Sequence, residues 1–267
     1  MKKSKKLKKQ AVKHPKSSGK KIDIPTEIFG VKISSSQLGQ VLSKIWLQRK
    51  EMLHVATANP EYIMEARTNI KFRELLNNCL TVADGHGIVW AFKILYKANI
   101  ARISGVSLVS EILEHANLYG EKVFLLGARK GVAEKAASAM GKRYPLAHFS
   151  WFEGAQTVVV EKSEESSMTI AKINGFEPDY LLVAYGSPWQ DLWIEENRPY
   201  LRARVALGVG GVFDEWAGVV KQCPSWIDQA GFKWAWRLVT EPWRWRRIAR
   251  VWHFGFLVLI KKLRSLF

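Results

Sequence analysis

The sequence predicts an α/β fold, with a mostly parallel, Rossmann-like sheet, helices on both of its faces and a C-terminal helical appendage. Short apolar runs alternate along the chain with segments of helical periodicity, and the runs themselves are almost continuously apolar. A strand that is apolar on both sides is buried on both sides, as in parallel sheets that helices cover. Ligands of such folds bind outside the carboxyl ends of the strands, so functional residues are expected there.

The predicted elements alternate from about residue 22 onward. Strands are expected at 53–57, 80–83, 123–126, 147–151, 180–184 and 205–209. Helices are expected at 60–76, 87–96, 107–119, 132–144, 165–174 and 189–200. Pro242 suits the first turn of a helix, and a last helix is therefore expected at 242–264.

The net charge of +17 is concentrated at the two ends of the chain. Residues 1–21 contain ten lysines and no acid, and residues 233–267 contain nine basic side chains and one acid. The segment between them, 22–232, has a net charge of −1. Charged ends on a neutral body favour an anionic surface as partner over a basic groove through the fold. We expect a disordered basic tail at 1–21, an α/β core at 22–224 and a basic, aromatic, helical appendage at 225–267.

The amino terminus and the cysteine content predict a cytoplasmic protein. The lysine-rich tail lacks the apolar run of about 7 to 15 residues that a secretory signal needs. Cys79 and Cys223 are too few for a disulfide framework, which suits a reducing compartment. Neither cysteine has a CxxC partner or a nearby histidine cluster, so no structural zinc site is expected. Whether the tail tethers the chain to a membrane or only keeps it soluble stays open.

The C-terminal segment has the composition of a helix that lies on a membrane. Residues 225–267 hold six of the twelve tryptophans, with arginines between them. The uncharged stretch 251–260 is shorter than the ~20 residues that span a bilayer. A helix with tryptophan and basic residues on separate sides favours the headgroup region, although Val251, Phe254 and Val258 disturb that separation. The alternative is a helix that packs on the sheet and buries its tryptophans.

Two polar motifs follow the first two strands. In the segment Thr57-Ala58-Asn59-Pro60-Glu61, threonine and asparagine offer short donors and acceptors that suit sugar hydroxyls, or Asn59 is a plain helix cap. In Asp84-Gly85-His86-Gly87, the carboxylate beside a glycine turn suits a general base, or it is a turn residue. His86 is a rival candidate for that base.

Three glycine-rich motifs follow later strands. Gly127-Ala128-Arg129-Lys130-Gly131 suits a phosphate at a helix start, without being a Walker or GxGxxG sequence. A nucleotide can lie against the glycine-rich backbone of two further motifs, 186–190 and 208–214. The first contains Gln190, and the second ends in Asp214. Asp214 is the candidate for a ribose contact, with a capping role as the alternative.

The sequence contains no Asp-x-Asp motif, so the two-carboxylate metal site of many glycosyltransferases has no candidate. A leaving diphosphate then needs cationic side chains for stabilisation. The arginines available for this are Arg102, Arg237, Arg244 and Arg247.

From about Asp23 to Arg250 the motifs together resemble the WecG/TagA/CpsF glycosyltransferases. The resemblance rests on TANPEYIMEAR, VADGHGIVWA, RISGVSL, VFLLGARKGVAEKAA, INGFEPDYLLVAYGSPWQDLWI, GVGGVFDEWAG and WRLVTEPWRWRR. It implies an inverting, metal-independent and cofactor-free transfer of N-acetylmannosamine or a related hexose or uronic acid from a UDP-sugar. The implied acceptor is an undecaprenyl-diphosphate-linked sugar on the inner face of the cell membrane, in cell-surface polysaccharide synthesis.

The resemblance also assigns roles to residues of this chain. Asp84 resembles the catalytic base of the core at 22–224. Thr57, Asn59 and Gln190 resemble the sugar pocket, Asp214 a nucleotide contact and Arg102 a diphosphate contact. The C-terminal arginines that close over the site are Arg237, Arg244 and Arg247. The family further implies that the appendage orders at the membrane and that a core without it self-associates.

Two other functions compete with this one. A nucleic-acid- or membrane-binding protein without catalysis would use the cationic ends and aromatic stacking. Specific nucleic-acid binding predicts charge on the folded body, which this body lacks. A nucleotide-dependent oxidoreductase would carry a GxGxxG fingerprint with an acid about 20 residues later, and the sequence does not contain that combination.

Overall fold

The computed structural model describes residues 27–48, 50–154, 163–242 and 245–265. The predicted basic tail, 1–21, lies outside the described residues, so its disorder and its role remain predictions. Within the described ranges the chain is an α/β protein, as the sequence predicts.

Six parallel strands form the main sheet of the described chain, in the order β4-β3-β8-β7-β5-β6. Their bounds are Leu53–Ala58 (β3), Leu80–Ala83 (β4), Lys122–Gly127 (β5), His148–Phe152 (β6), Tyr180–Ala184 (β7) and Val205–Gly208 (β8). Each matches a predicted strand to within one residue at either end. A small antiparallel pair that the sequence analysis missed precedes them, Glu27–Ile28 (β1) and Val31–Lys32 (β2).

Helices connect the strands and cover the sheet. The first eight are Leu38–Leu47 (α1), Pro60–Thr68 (α2), Ile70–Asn78 (α3), His86–Tyr96 (α4), Gly105–Tyr119 (α5), Val132–Arg143 (α6), Ser163–Phe176 (α7) and Trp189–Asn197 (α8). The last four are Val212–Trp216 (α9), Ser225–Gln229 (α10), Lys233–Thr240 (α11) and Trp245–Arg264 (α12). The prediction of a helix at 242–264 is confirmed over 245–264, and residues 243–244 lie outside the described residues. The helices α1, α9, α10 and α11 were not predicted.

The prediction of one helix at 60–76 is wrong, because Asn69 divides it. The Asn69 backbone N–H donates to the Glu65 carbonyl at 2.9 Å and so closes α2. The Asn69 side-chain oxygen accepts from the Phe72 N–H at 3.0 Å and so starts α3. Asparagine competes with helical hydrogen bonds in this way through its short polar side chain, and apolar periodicity alone does not reveal the break.

Both faces of the sheet are buried in every main-sheet strand except the edge strand β6, which accounts for the apolar runs of the others. Alternate residues of one strand point to opposite faces. In β5, Val123 and Leu125 enter the core beneath α1, α5, α6 and α9, and Phe124 and Leu126 enter the core beneath α7 and α8. A third core lies under α2, α3 and α4, on the same side of the sheet as that of α7 and α8.

The long C-terminal helix α12 is apolar on two opposite sides. Phe254 and Val258 are buried in the core of α2 and α4, and Arg250 forms an ion pair with Glu65 at 3.6 Å. The opposite side carries an exposed stripe at helical spacing, which we call the outer stripe: Trp245, Trp252, Phe256, Leu259 and Leu263. Phe254 and Val258, which disturb the amphipathic pattern in the sequence, are therefore the residues that hold the helix on the core. No helix of the described chain is both long enough and apolar enough to cross a membrane.

Two phenylalanines of α12 provide a test of this packing. Phe254 is 1% exposed and Phe256 is 61% exposed. We expect Phe254→Ala to lower the free energy of unfolding by about 3 to 5 kcal/mol, or to release α12 from α2 and α4, since it leaves a cavity in the core. The readouts are thermal unfolding and amide hydrogen exchange of α12. The matched variant Phe256→Ala should change neither, and equal effects of the two substitutions would contradict the described orientation of the helix.

Candidate active site

A cleft of about 1130 Å³ lies at the carboxyl ends of the strands, where the loops after β3, β4, β5, β7 and β8 meet. Its position is the one that the fold class predicts. Seven of the predicted site residues line it, namely Thr57, Asn59, Asp84, Arg102, Gln190, Asp214 and Arg237. Arg244 lies outside the described residues. Arg247 belongs to α12, and its side chain is likewise outside the description.

Asp84 and Thr57 approach one point at the mouth of the cleft. β3 and β4 pair in register at Ala58 and Ala83, and the Asp84 N–H donates to the Ala58 carbonyl at 2.8 Å. A Cβ added to Gly105, at the start of α5, would lie 3.2 Å from the Thr57 hydroxyl oxygen and 3.8 Å from an Asp84 carboxylate oxygen. A side chain at this position would therefore crowd both oxygens, and glycine avoids that contact.

Asn59 caps helix α2. Its side-chain oxygen accepts from the backbone N–H groups of Glu61, at 2.9 Å, and Tyr62, at 3.1 Å. The capping role that the sequence left open is thus confirmed. Because the oxygen is engaged, any contact of Asn59 with a ligand in the cleft falls to its amide nitrogen, which is a donor.

Arg102 lies between His86 and Asp228. Its guanidinium contacts the His86 ring nitrogen Nε2, and it bonds the Asp228 carbonyl oxygen at 3.3 Å and faces the Asp228 carboxylate at 3.5 Å. The same ring nitrogen lies 3.4 Å from the Asp228 carbonyl oxygen, and the role of His86 as a rival base stays a prediction. Asp228 belongs to α10, so the contact also joins the C-terminal segment to the cleft.

Arg237 of α11 is held by two carboxylates. It bonds Glu215 of α9, and it lies 3.4 Å from Glu241. Both acids are buried, so the pairing neutralises charge that would otherwise be costly to bury. Sequence analysis placed this arginine at the site without predicting either partner.

Asp214 lies in the short helix α9 and accepts from Arg129 at 2.9 Å. The pair connects the turn after β8 with the turn after β5, two of the glycine-rich motifs singled out in the sequence. A carboxylate and a guanidinium thus stand side by side at one wall of the cleft, where one can accept hydroxyl hydrogens and the other can bind a phosphate.

Gln190 is only 3% exposed, and its amide is bonded at both ends. Its oxygen accepts from the Gly210 N–H at 2.9 Å, and its nitrogen donates to the Tyr62 hydroxyl at 2.8 Å. A Cβ on Gly208 would lie 2.3 Å from the amide nitrogen, so only glycine fits at the end of β8. Sequence analysis missed both Tyr62 and Asp191. Asp191 directly follows Gln190 in the first turn of α8, and an acid at that position was a signal that the sequence offered.

Within the described ranges, one group of side chains has ligand atoms close enough to hold a metal ion: His54, Cys79 and Glu195. The sequence shows no histidine cluster near either cysteine, and in the structure a single histidine is close to Cys79, whose sulfur lies 3.1 Å from His54 Nδ1. His54 and Cys79 stand at the amino ends of β3 and β4, away from the cleft. Glu195 is already paired with Arg198 at 3.0 Å, so the cluster is an ion network before any metal is considered.

His54 is buried, and its hydrogen-bond partners shift the pKa of its imidazole. Burial by itself lowers its pKa, but hydrogen bonds with Asp191, Cys79 and Glu195 outweigh burial and raise the pKa well above the ordinary value. The Asp191 oxygen lies 3.2 Å from His54 Nε2, and the Glu195 oxygen lies 3.5 Å from Nδ1. Sequence analysis could not identify this ion cluster, because its members lie far apart along the chain.

The raised pKa of His54 predicts how stability depends on pH. A histidine with a raised folded pKa contributes its full stabilisation below its unfolded pKa, about 6.5. That contribution is lost as the pH rises through the folded pKa. We expect the difference in melting temperature between the wild type and His54→Gln to be largest near pH 6 and to shrink above about pH 7. Thermal unfolding over this range checks it, and a difference that grows with pH would contradict the raised pKa.

The chain matches the model of the glycosyl transferase family WecG/TagA/CpsF over residues 26–266. It is also similar to curated proteins of Staphylococcus aureus, among them those of strains MRSA252 and COL. Both are named N-acetylglucosaminyldiphosphoundecaprenol N-acetyl-beta-D-mannosaminyltransferase, and both are 32% identical over 220 residues, which cover 80% of this chain and 84% of the relative.

Proposed function

The chain belongs to the WecG/TagA/CpsF family of glycosyl transferases, and on this premise we propose that it transfers N-acetylmannosamine or a related sugar from a UDP-sugar. The acceptor is an undecaprenyl-diphosphate-linked sugar, as in the names of the staphylococcal relatives. The observation that carries the proposal is the meeting of Thr57, Asp84 and Arg102 in one cleft. They supply a hydroxyl, a carboxylate and a guanidinium, the groups that transfer from a nucleotide sugar requires.

In the proposed reaction Asp84 is the general base. It removes the proton of an acceptor hydroxyl while that oxygen forms a bond to the anomeric carbon of the donor sugar. The bond between the anomeric carbon and the diphosphate oxygen breaks, and UDP leaves with the electron pair. Attack from the side opposite to UDP inverts the anomeric centre. The place of Asp84 in the lining of the cleft, beside Gly105 with no side chain, supports this role.

The donor occupies the rest of the cleft. Thr57, Asn59 and Gln190 surround the sugar, and Asp214 accepts from the ribose hydroxyls. The departing diphosphate is stabilised by the arginines of the cleft and of the C-terminal segment, without a metal ion or other cofactor: Arg102, Arg237, Arg244 and Arg247. In the described state Arg102 and Arg237 are paired with carboxylates. A bound diphosphate takes the place of these carboxylates as the negative partner of the two arginines.

Replacement of Asp84 tests the base directly. We expect Asp84→Asn to reduce acceptor-dependent UDP release by about 10²- to 10⁴-fold, because the amide cannot take a proton. The assay measures UDP release from a panel of UDP-sugars with a polyprenyl-diphosphate-sugar acceptor.

The control for Asp84→Asn is Asp179→Asn, which removes a carboxylate at the amino end of β7, far from the cleft, and should leave turnover intact. Full activity in Asp84→Asn would show that another residue is the general base. No release from wild type with any donor would disprove the proposed reaction.

The outer stripe of α12 supports a second part of the proposal, which is that the protein lies peripherally on the inner, anionic face of the cell membrane. Trp252 and Phe256 are more than half exposed, on the side of the helix that faces away from the core. Arg250, Lys261 and Arg264 are also exposed on the same helix. Aromatic residues with basic neighbours are typical of helices that lie in the headgroup region. Such a position brings the cleft to a lipid-linked acceptor.

Vesicle binding tests the outer stripe. We expect wild-type protein to sediment with vesicles that contain phosphatidylglycerol, and the double variant Trp252→Ser/Phe256→Ser to bind them at least about tenfold more weakly. The control Leu118→Ser removes an exposed apolar side chain from α5, on the other side of the sheet, and should bind as wild type does. Equal binding by wild type and the double variant would rule out the stripe as the docking surface.

A further inference from the structure

We propose that Tyr62 and Asp191 are positioning residues for the sugar-donor pocket, which fix the orientation of the Gln190 amide and, through it, the glycine turn after β8. The inference rests on the proposed function and deepens it, because it names residues on which donor affinity depends. Neither residue takes part in the mechanism above. Both are buried, and Asp191 is fully so.

A continuous chain of hydrogen bonds connects the amino end of β3 with the cleft. His54 Nε2 lies 3.2 Å from one Asp191 oxygen, and the Tyr62 hydroxyl donates to the other at 2.7 Å. The Gln190 amide nitrogen donates to the Tyr62 oxygen at 2.8 Å, and the Gly210 N–H donates to the Gln190 oxygen at 2.9 Å. The chain runs along one face of the sheet, beneath α2 and α8.

The charge on Asp191 sets the direction of every bond in this chain. An ionised carboxylate only accepts, so the Tyr62 hydroxyl has to donate its hydrogen to it. The Tyr62 oxygen is then an acceptor, and only the nitrogen end of the Gln190 amide can face it. The oxygen end therefore faces Gly210. A flipped amide would place two acceptors against each other at Tyr62 and two donors against each other at Gly210.

The protonation of Tyr62 is secured by its surroundings. Burial, and then the nearby negative charge of Asp191, raise the pKa of the Tyr62 hydroxyl well above the ordinary value. The hydroxyl therefore stays protonated, as its bond to Asp191 requires. The other oxygen of Asp191 lies 3.2 Å from His54 Nε2, so the carboxylate has a polar partner on each of its two oxygens.

The orientation of the Gln190 amide matters for the cleft because the amide packs directly against the glycine turn. The amide nitrogen would lie 2.3 Å from a Cβ on Gly208, and the amide oxygen holds the N–H of Gly210, whose φ is +55°. Gly208, Gly210 and Gln190 all line the cleft. A rotation of the amide thus shifts the backbone wall and also redirects the second N–H group of the amide nitrogen.

The test compares Tyr62→Phe with Tyr180→Phe in the full-length protein. Tyr180 is a matched control, since its buried hydroxyl also donates to a carboxylate, Glu121, at 2.8 Å, but at the amino end of β7. In Tyr62→Phe we expect the KM for the UDP-sugar, and the Kd measured by calorimetry, to rise about 5- to 30-fold. The kcat and the KM for the acceptor should stay within about twofold of wild type. Tyr180→Phe should change none of these constants, although both variants lower the melting temperature.

A second variant, Asp191→Asn, removes the charge that fixes the direction of the bonds and should produce the same donor-specific rise. A donor KM within about twofold of wild type in Tyr62→Phe would overturn the positioning role and leave the proposed function standing. If Tyr180→Phe raises the KM for the UDP-sugar as much as Tyr62→Phe does, the effect comes from lost stability, and the positioning role is also overturned. If wild type releases no UDP from any donor, the proposed function fails, and the inference fails with it.

Discussion

The burial of the parallel sheet on both faces is the constraint on which the rest of the structure depends. Neighbouring residues of one strand, such as Phe124 and Leu125, enter cores on opposite sides, so the middle of a strand has no place for a group that meets solvent or ligand. Polar chemistry is confined to the strand ends. At the carboxyl ends the loops form the cleft, and at the amino ends His54 is enclosed in an ion cluster.

Charge compensation connects the C-terminal segment to the cleft. Two arginines that line it are paired with acids from other elements, Arg102 with Asp228 and Arg237 with Glu215. A partly buried guanidinium without a partner is unfavourable, so these pairs hold α10 and α11 against the core in the described state. A diphosphate offers the same arginines more negative charge and more acceptor oxygens than a carboxylate does. In the described state the same arginines therefore line the cleft and hold the C-terminal segment.

Helix α12 has two apolar faces, one buried against the core and one exposed. Phe254 and Val258 fix it on α2 and α4, and the outer stripe, which includes Trp252 and Phe256, stays exposed on the opposite side. A helix with a single apolar face could pack on the core or on a lipid surface, but not on both. Since α2 packs against α12 and begins at the cleft with Asn59 and Pro60, the proposed membrane contact at the stripe lies one helix away from the cleft.

The sequence by itself determined the strands of the main sheet, because burial on both sides imposes apolar runs. It did not reveal the short pair β1 and β2. It also determined which motifs share the cleft, because the carboxyl ends of parallel strands meet at one edge. It predicted Thr57, Asp84 and Gln190 for that reason. The tertiary structure alone decided the partners of these residues. Tyr62 meets Asp191, 129 positions along the chain, and Arg102 meets Asp228, 126 positions away. Such pairs leave no local periodicity, because a hydrogen bond across the fold depends on how helices and loops pack and not on the neighbours in sequence. The division at Asn69 and the two faces of α12 were decided in the same way, by contacts that form only when the chain is folded.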